Sequence, residues 1–207
     1  PMYEGFADKI REHCPDAWVI NYTNPMTLCT RILYERFPQI KAFGCCHEVF
    51  GTQKILAYAL KEFCGITVDR RMIKTNVLGL NHFTWIDRAE YQGRDLFQLY
   101  EKLVEKYGET GLEGVEKNHW ANKEFTSGNK VKFDLFKRYG LIAAAGDRHL
   151  AEFCPPWYLK NPEVVASWGF MLTTVDKREQ MLEERLKRSR ALVSGEETFK
   201  FQVTGED

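Results

Sequence analysis

Several hallmarks of specialised chains are absent. There is no surplus of either charge: 29 Lys and Arg balance 29 Asp and Glu. A nucleic-acid partner is therefore not expected, because binders of polyanions carry a basic stripe. No apolar run approaches the ~20 residues that cross a bilayer, so no membrane span is expected. No secretory leader is visible. Six cysteines in 207 residues are too few for a disulfide scaffold. No Cys-x-x-Cys pair suggests a structural zinc site. No Gly-x-Gly-x-x-Gly turn, internal repeat or low-complexity linker occurs. Cys14, Cys29, Cys64 and Cys154 stand singly in mostly apolar surroundings and read as buried thiols, and Cys45 and Cys46 are adjacent. A reducing, cytoplasmic setting is the simplest expectation.

What is present is a globular composition, 44% hydrophobic and 28% charged, long enough to bury a core. Pro1 is not a natural translation start, and Thr198 to Val203 reads as a strand without a partner, so an excised or incomplete chain is expected.

Periodicity predicts a helix from Tyr3 to His13, then a buried strand over Ala17–Ile20. Asn24 and Pro25 carry N-cap and first-turn chemistry for a helix to about Phe37. A strand over Ile40–Gly44 and a helix over Phe50–Phe63, ended by Gly65, follow. This alternation predicts an α/β fold with a parallel sheet, whose ligands sit at the carboxyl ends of the strands. After Gly65 the pattern turns antiparallel, with strands over Lys74–Leu80 and Phe83–Tyr91 and a turn at Gln92-Gly93. Helices are expected over Asp95–Tyr107, Lys130–Tyr139 and Val175–Leu192, with the last a charge-laced solvated face packed on one side. Residues 108–130 read as loop and short helix.

Four polar clusters stand out. Asn21-Tyr22-Thr23-Asn24-Pro25 lies at a strand end, where turn chemistry explains it, although its amides also match sugar hydroxyls. Cys45-Cys46-His47-Glu48 follows the next strand. Gly79-Leu80-Asn81-His82 precedes Phe83 and Trp85, and strict alternation places His82 opposite Asn81, Phe83 and Trp85. Cys46 and His82 read either as a small hydrophobe and a satisfied polar residue, or as two ligands of an open metal site completed by substrate oxygens. Gly146-Asp147-Arg148-His149 reads either as a helix start, with Asp147 as cap and Arg148 paired to Glu152, or as a general base beside an anion clamp.

Taken in order, these clusters resemble glycoside hydrolase family 4, the NAD- and metal-dependent glycosidases, over about residues 17 to 160. The resemblance implies a Rossmann-like domain remainder over residues 1–65. An α+β sugar-binding and oligomerisation region follows over residues 66–207, in a dimer or tetramer. It implies a redox–elimination route: oxidation at sugar C3 with NAD, removal of the C2 proton, loss of the C1 leaving group, water addition and return of the hydride. Cys46 and His82 are the implied metal ligands, with manganese the family's usual ion. Asn24 contacts substrate, Asn21 and Asn24 lie on the cofactor side, and Asn81 and His149 join the substrate site. Asp147 is the implied C2 base, and His47 or Glu48 protonates the departing oxygen. The Cys-His-Glu-Val string resembles the branches that cleave uronides or galactosides, and Arg148 matches a uronate carboxylate. The missing Gly-rich turn departs from the family pattern. Two rival readings remain: an NAD-dependent dehydrogenase of the 2-hydroxy-acid type, and a metal- or sugar-binding module without chemistry.

Overall fold

The two strands that open the chain, β1 (Trp18–Asn21) and β2 (Lys41–Gly44), pair in parallel, with Trp18 opposite Lys41 and Asn21 opposite Gly44. The structure, a computed structural model, describes residues 2–115, 128–170 and 174–198. Helices α1 (Met2–His13) and α2 (Met26–Arg36) flank this pair. Ala7, Leu33, Phe37, Ile40 and Ala42 form a small core beneath it. Every second residue of a strand points the same way, so Trp18, Ile20 and Phe43 share a face and stay exposed. The alternation was legible, but the helix start was misplaced by one residue. Pro25, whose side chain offers no acceptor, occupies the N-cap of α2, and the Asn24 carboxamide oxygen accepts a hydrogen bond from Asn81 Nδ2 at 3.3 Å.

Helix α3 (Glu48–Cys64) buries Thr52, Ile55, Leu56, Ala59 and Leu60, the i, i+3, i+4, i+7, i+8 stripe of an amphipathic helix. Gly65 ends it at φ +68°, the left-handed conformation that glycine adopts without steric cost. A short 3₁₀ turn, Arg70–Met72, leads into an antiparallel hairpin of β3 (Lys74–Leu80) and β4 (Phe83–Tyr91). Its tip is Asn81-His82, joined by a cis peptide. These residues form the turn rather than strand, so the alternation expected of them does not apply.

Two short strands escaped sequence reading, β5 (Arg94–Asp95) and β6 (Ile142–Ala143), both paired to β4. Two residues are too few to show a period. Helix α4 (Phe97–Tyr107) buries Leu99, Tyr100, Leu103 and Val104 against α3 and the hairpin, in the largest core. Helix α5 (Lys130–Tyr139) precedes β6, and helices α6 (Asp147–Phe153), α7 (Pro155–Tyr158) and α8 (Pro162–Ser167) follow it. Val131, Leu135, Ala145, Leu150, Ala151 and Tyr158 form the core among α5, α6 and α7.

The chain divides into two units, residues 1–170 and 171–207. In the second, α9 (Val175–Ser194) starts at the Thr174 cap and ends at Gly195. Most of the strand expected over Thr198–Val203, and residues 116–127 of the expected loop, lie outside the described residues. Of the four single thiols expected to be buried, only Cys29 is. Cys14 is exposed just beyond the end of α1, and Cys64 and Cys154 are half-buried. Among the described residues no helix is long and apolar enough to cross a membrane.

Candidate functional site

The four polar clusters meet in the first unit. Asn81 Nδ2 donates to Asn24 Oδ1 at 3.3 Å, joining the end of β1 to the hairpin tip. The His82 and His149 rings stack, with centroids 3.9 Å apart and planes at 20°. Glu48, in the first turn of α3, ties the second cluster to the fourth. Its Oε2 accepts the Gly146 N–H at 2.7 Å, and its Oε1 lies 3.3 Å from His149 Nε2. His149 Nδ1 lies 3.3 Å from Glu152 Oε2, and its Nε2 is 3.3 Å from an Arg148 guanidinium nitrogen. Glu152, expected from spacing to pair with Arg148, thus also pairs with His149. On this short helix, i and i+3 face each other as readily as i and i+4.

Glu48, His82 and His149 each offer a ligand atom, and these atoms all lie within 4.8 Å of one another. One carboxylate oxygen and two imidazole nitrogens are a donor set suited to a divalent transition metal. His82 is held below its ordinary pKa, first by burial and then by the neighbouring His149. Its imidazole is therefore neutral, as a ligand must be. Glu48 and His149 as candidate metal donors were not read from the sequence. The signal was there only in part, as a carboxylate or imidazole in each of three clusters, and their coincidence is a tertiary fact.

Cys46 lies outside that group of three. Its thiol is half-buried, and burial pushes its pKa up against the opposing backbone N–H groups of Glu48 and His47. A thiol so placed is protonated at neutral pH until a cation displaces the proton. His47, at the N-cap of α3, is half-buried and also outside the group.

Two expected site residues are placed differently. Asn21 is 4% exposed and its amide is committed inside the protein. Nδ2 donates to Thr23 O, Met26 O and Thr30 Oγ1, while Oδ1 accepts from the Tyr3 hydroxyl and the Thr23 N–H. It locks the end of β1 and has little left for a cofactor. Asp147 is fully buried, and its Oδ1 accepts the Lys132 N–H at 3.1 Å. It is the first residue of α6, with Gly146 as N-cap, so it does not cap its own helix. Its carboxylate instead satisfies an N–H in the first turn of α5, where negative charge is favourable. A base acting on substrate needs exposed surface, and Asp147 has none in this structure.

The family 4 glycosyl hydrolase pattern matches residues 1–62, and the family 4 glycosyl hydrolase C-terminal domain matches residues 77–203. An alpha-galacturonidase of Thermoanaerobacterium saccharolyticum is 61% identical over all of this chain, which covers 45% of that protein. One from Bacillus subtilis is 49% identical over all of the chain and is covered to 46%. The chain thus spans about half the length of these relatives. The solved lplD structure from Bacillus subtilis superposes with a TM-score of 0.83 at 50% identity, over 94% of this chain and 44% of that one. A 6-phospho-alpha-glucosidase from gut microorganisms, solved in complex with NAD and Mn2+, shares the fold. Its TM-score is 0.62 at 18% identity, over 98% of this chain and 43% of that one. Both parts of the family pattern, in order and together spanning most of the chain, show that it belongs to the family 4 glycosyl hydrolases.

Proposed function

We propose that this chain is the metal- and sugar-binding part of a family 4 α-galacturonidase that works with NAD and a divalent metal ion, manganese. The observation that carries the reading is 61% identity, over the whole chain, to a protein named alpha-galacturonidase. A further proposal divides the chain near residue 65: a cofactor-side remainder before it, and a region for sugar, metal and homo-oligomer contacts after it.

The residues fit a metal. Glu48, His82 and His149 supply hard and borderline donors, which suit manganese better than a thiolate alone. Cys46, two residues before Glu48, is the proposed fourth donor. The fit to NAD is partial. Asn21 is used internally, whereas Asn24 is exposed at the carboxyl end of β1. When bound, NAD supplies hydride exchange at sugar C3 and the metal supplies Lewis-acid polarisation of the sugar oxygens.

This chain's own residues orient and discriminate. Asn24 and Asn81, linked to each other, present amide donors and acceptors to sugar hydroxyls. Arg148, beside His149, offers a planar fork to the uronate carboxylate. His47 is the remaining candidate for delivering a proton to the departing oxygen, since Glu48 is engaged by Gly146 and His149. Asp147 is covered and serves α5, so the C2 base is not assigned to it.

The test is a chimera in which this chain is completed by the remainder of the Thermoanaerobacterium relative. Cleavage of α-galacturonides well above neutral α-galactosides, with no net NADH formed, is expected. Arg148→Met should raise KM for the uronide and leave the galactoside rate little changed. Equal cleavage of both sugars by the parent would sink the uronide reading, and net NADH would favour a dehydrogenase.

A further inference from the structure

The segment Ala144–Asp147, between β6 and α6, is held from four directions. The Ala144 N–H donates to Thr84 O of β4 at 2.9 Å. The Ala144 carbonyl accepts from Thr52 Oγ1 of α3 at 2.9 Å. The Gly146 N–H donates to Glu48 Oε2, and Asp147 Oδ1 accepts the Lys132 N–H. His149 hangs directly from this segment, its own N–H donating to Gly146 O at 3.0 Å.

Behind Thr52 lies Lys132, 1% exposed, whose Nζ donates to Thr52 Oγ1 at 3.0 Å. The threonine hydroxyl has one hydrogen, spent on Ala144 O, and its lone pair receives the ammonium. The result is a directional chain from Lys132 Nζ through Thr52 Oγ1 to the Ala144 carbonyl, whose members polarise one another. Burying an ammonium is costly. Val131, Phe133 and Leu135, its neighbours on α5, are all buried and apolar, so an apolar residue of similar length would serve packing alone at lower cost.

We propose that Lys132 is a positioning residue: through Thr52 it fixes the Ala144 carbonyl, and with it the segment that brings His149 to Glu48 and His82. The inference rests on reading those three side chains as a cation site. Metal sites tolerate ligand errors of only about 0.2 Å. Groups that orient ligands from outside commonly govern affinity about 10- to 100-fold.

The test uses the 207-residue chain, with Mn2+ binding followed by calorimetry and folding by thermal melting. Lys132→Met and Thr52→Val should each weaken Mn2+ binding about tenfold. The double variant should lose little more than either single one, since both break the same chain of bonds. Thr52→Ser, which keeps the hydroxyl, should restore binding close to the parent. A lowered melting temperature with unchanged Mn2+ affinity in both variants would overturn the proposal and leave a packing role. If Lys132→Met does not fold, the isosteric Thr52→Val decides, read against Thr52→Ser. If the parent takes up no Mn2+, the cation-site reading fails by itself. Positioning is then judged by NMR of the Gly146 and His149 amides, without metal. Shifts in Thr52→Val but not in Thr52→Ser support it, and unchanged signals in Thr52→Val overturn it.

Discussion

His82 and Cys46 are perturbed in opposite senses, and the pair has a measurable consequence. Burial depresses the His82 pKa below its ordinary 6.5 and raises that of Cys46 above its ordinary 9.0. At neutral pH His82 is therefore already unprotonated, while Cys46 carries its proton. If Cys46 joins the ion, each Mn2+ bound should release about one proton, and from the thiol rather than the imidazole. Affinity should then rise with pH from neutrality up to the thiol's raised pKa. Calorimetry in buffers of different ionisation enthalpy reads this directly, and Cys46→Ser should abolish the release. Proton release that survives Cys46→Ser would remove the thiol from the ligand set. These two residues were picked out from the sequence by type and position after strand-like runs. Glu48 and His149 were legible only as other things, an acid and a substrate contact, because nothing local says that side chains 101 residues apart lie together.

At the scale of elements, the hairpin of β3 and β4 decides where Asn81 and His82 stand. Gly79 sits at φ +110°, and a Cβ there would meet the Phe83 carbonyl oxygen at 2.5 Å and Thr84 Cα at 3.3 Å. Both obstacles are backbone, so neither can swing aside. Gly79→Ala is expected to cost at least about 1–3 kcal/mol and to weaken Mn2+ binding by displacing the hairpin tip. Gly65→Ala is the control. It too has positive φ, but nothing lies within 4 Å of its added Cβ, so only the left-handed strain of about 1–2 kcal/mol applies. Thermal melting should fall in both variants, and Mn2+ affinity only in Gly79→Ala. Equal metal binding in the two would mean that the hairpin tip does not carry the site. The strands themselves were readable, since seven and nine residues show a period. The turn type was not, because alternation has no meaning across two residues that leave the strand.

On the scale of the whole molecule, every residue of the proposed site lies within residues 1–170, the first of the two units. A chain ending at Phe170 should therefore bind Mn2+ about as well as the 207-residue chain, and loss of binding on truncation would show that the second unit supports the site. The same first unit contains the parallel pair β1 and β2, which covers one face and leaves Trp18 71% exposed on the other. Parallel sheets are usually covered on both faces, and the relatives are about twice as long as this chain. Redox glycosidase chemistry accordingly stays a proposal, as do the metal and sugar contacts assigned to this chain.

The longer helices and strands in their order, the left-handed stop at Gly65 and the four polar clusters could be read from the sequence, because periodicity, turn chemistry and motif spacing act over a few residues. Composition likewise pointed away from polyanions and long apolar spans. Tertiary structure decided which members of those clusters meet. It brought Glu48 to Gly146 across 98 residues and Thr52 to Ala144 across 92, stacked His82 on His149, and turned Asn21 and Asp147 inward. Lys132 shows the reason most clearly. In sequence it is one of many lysines and would be placed in water. Its burial follows from α3, α5 and β6 closing around it, and no local pattern encodes that closure.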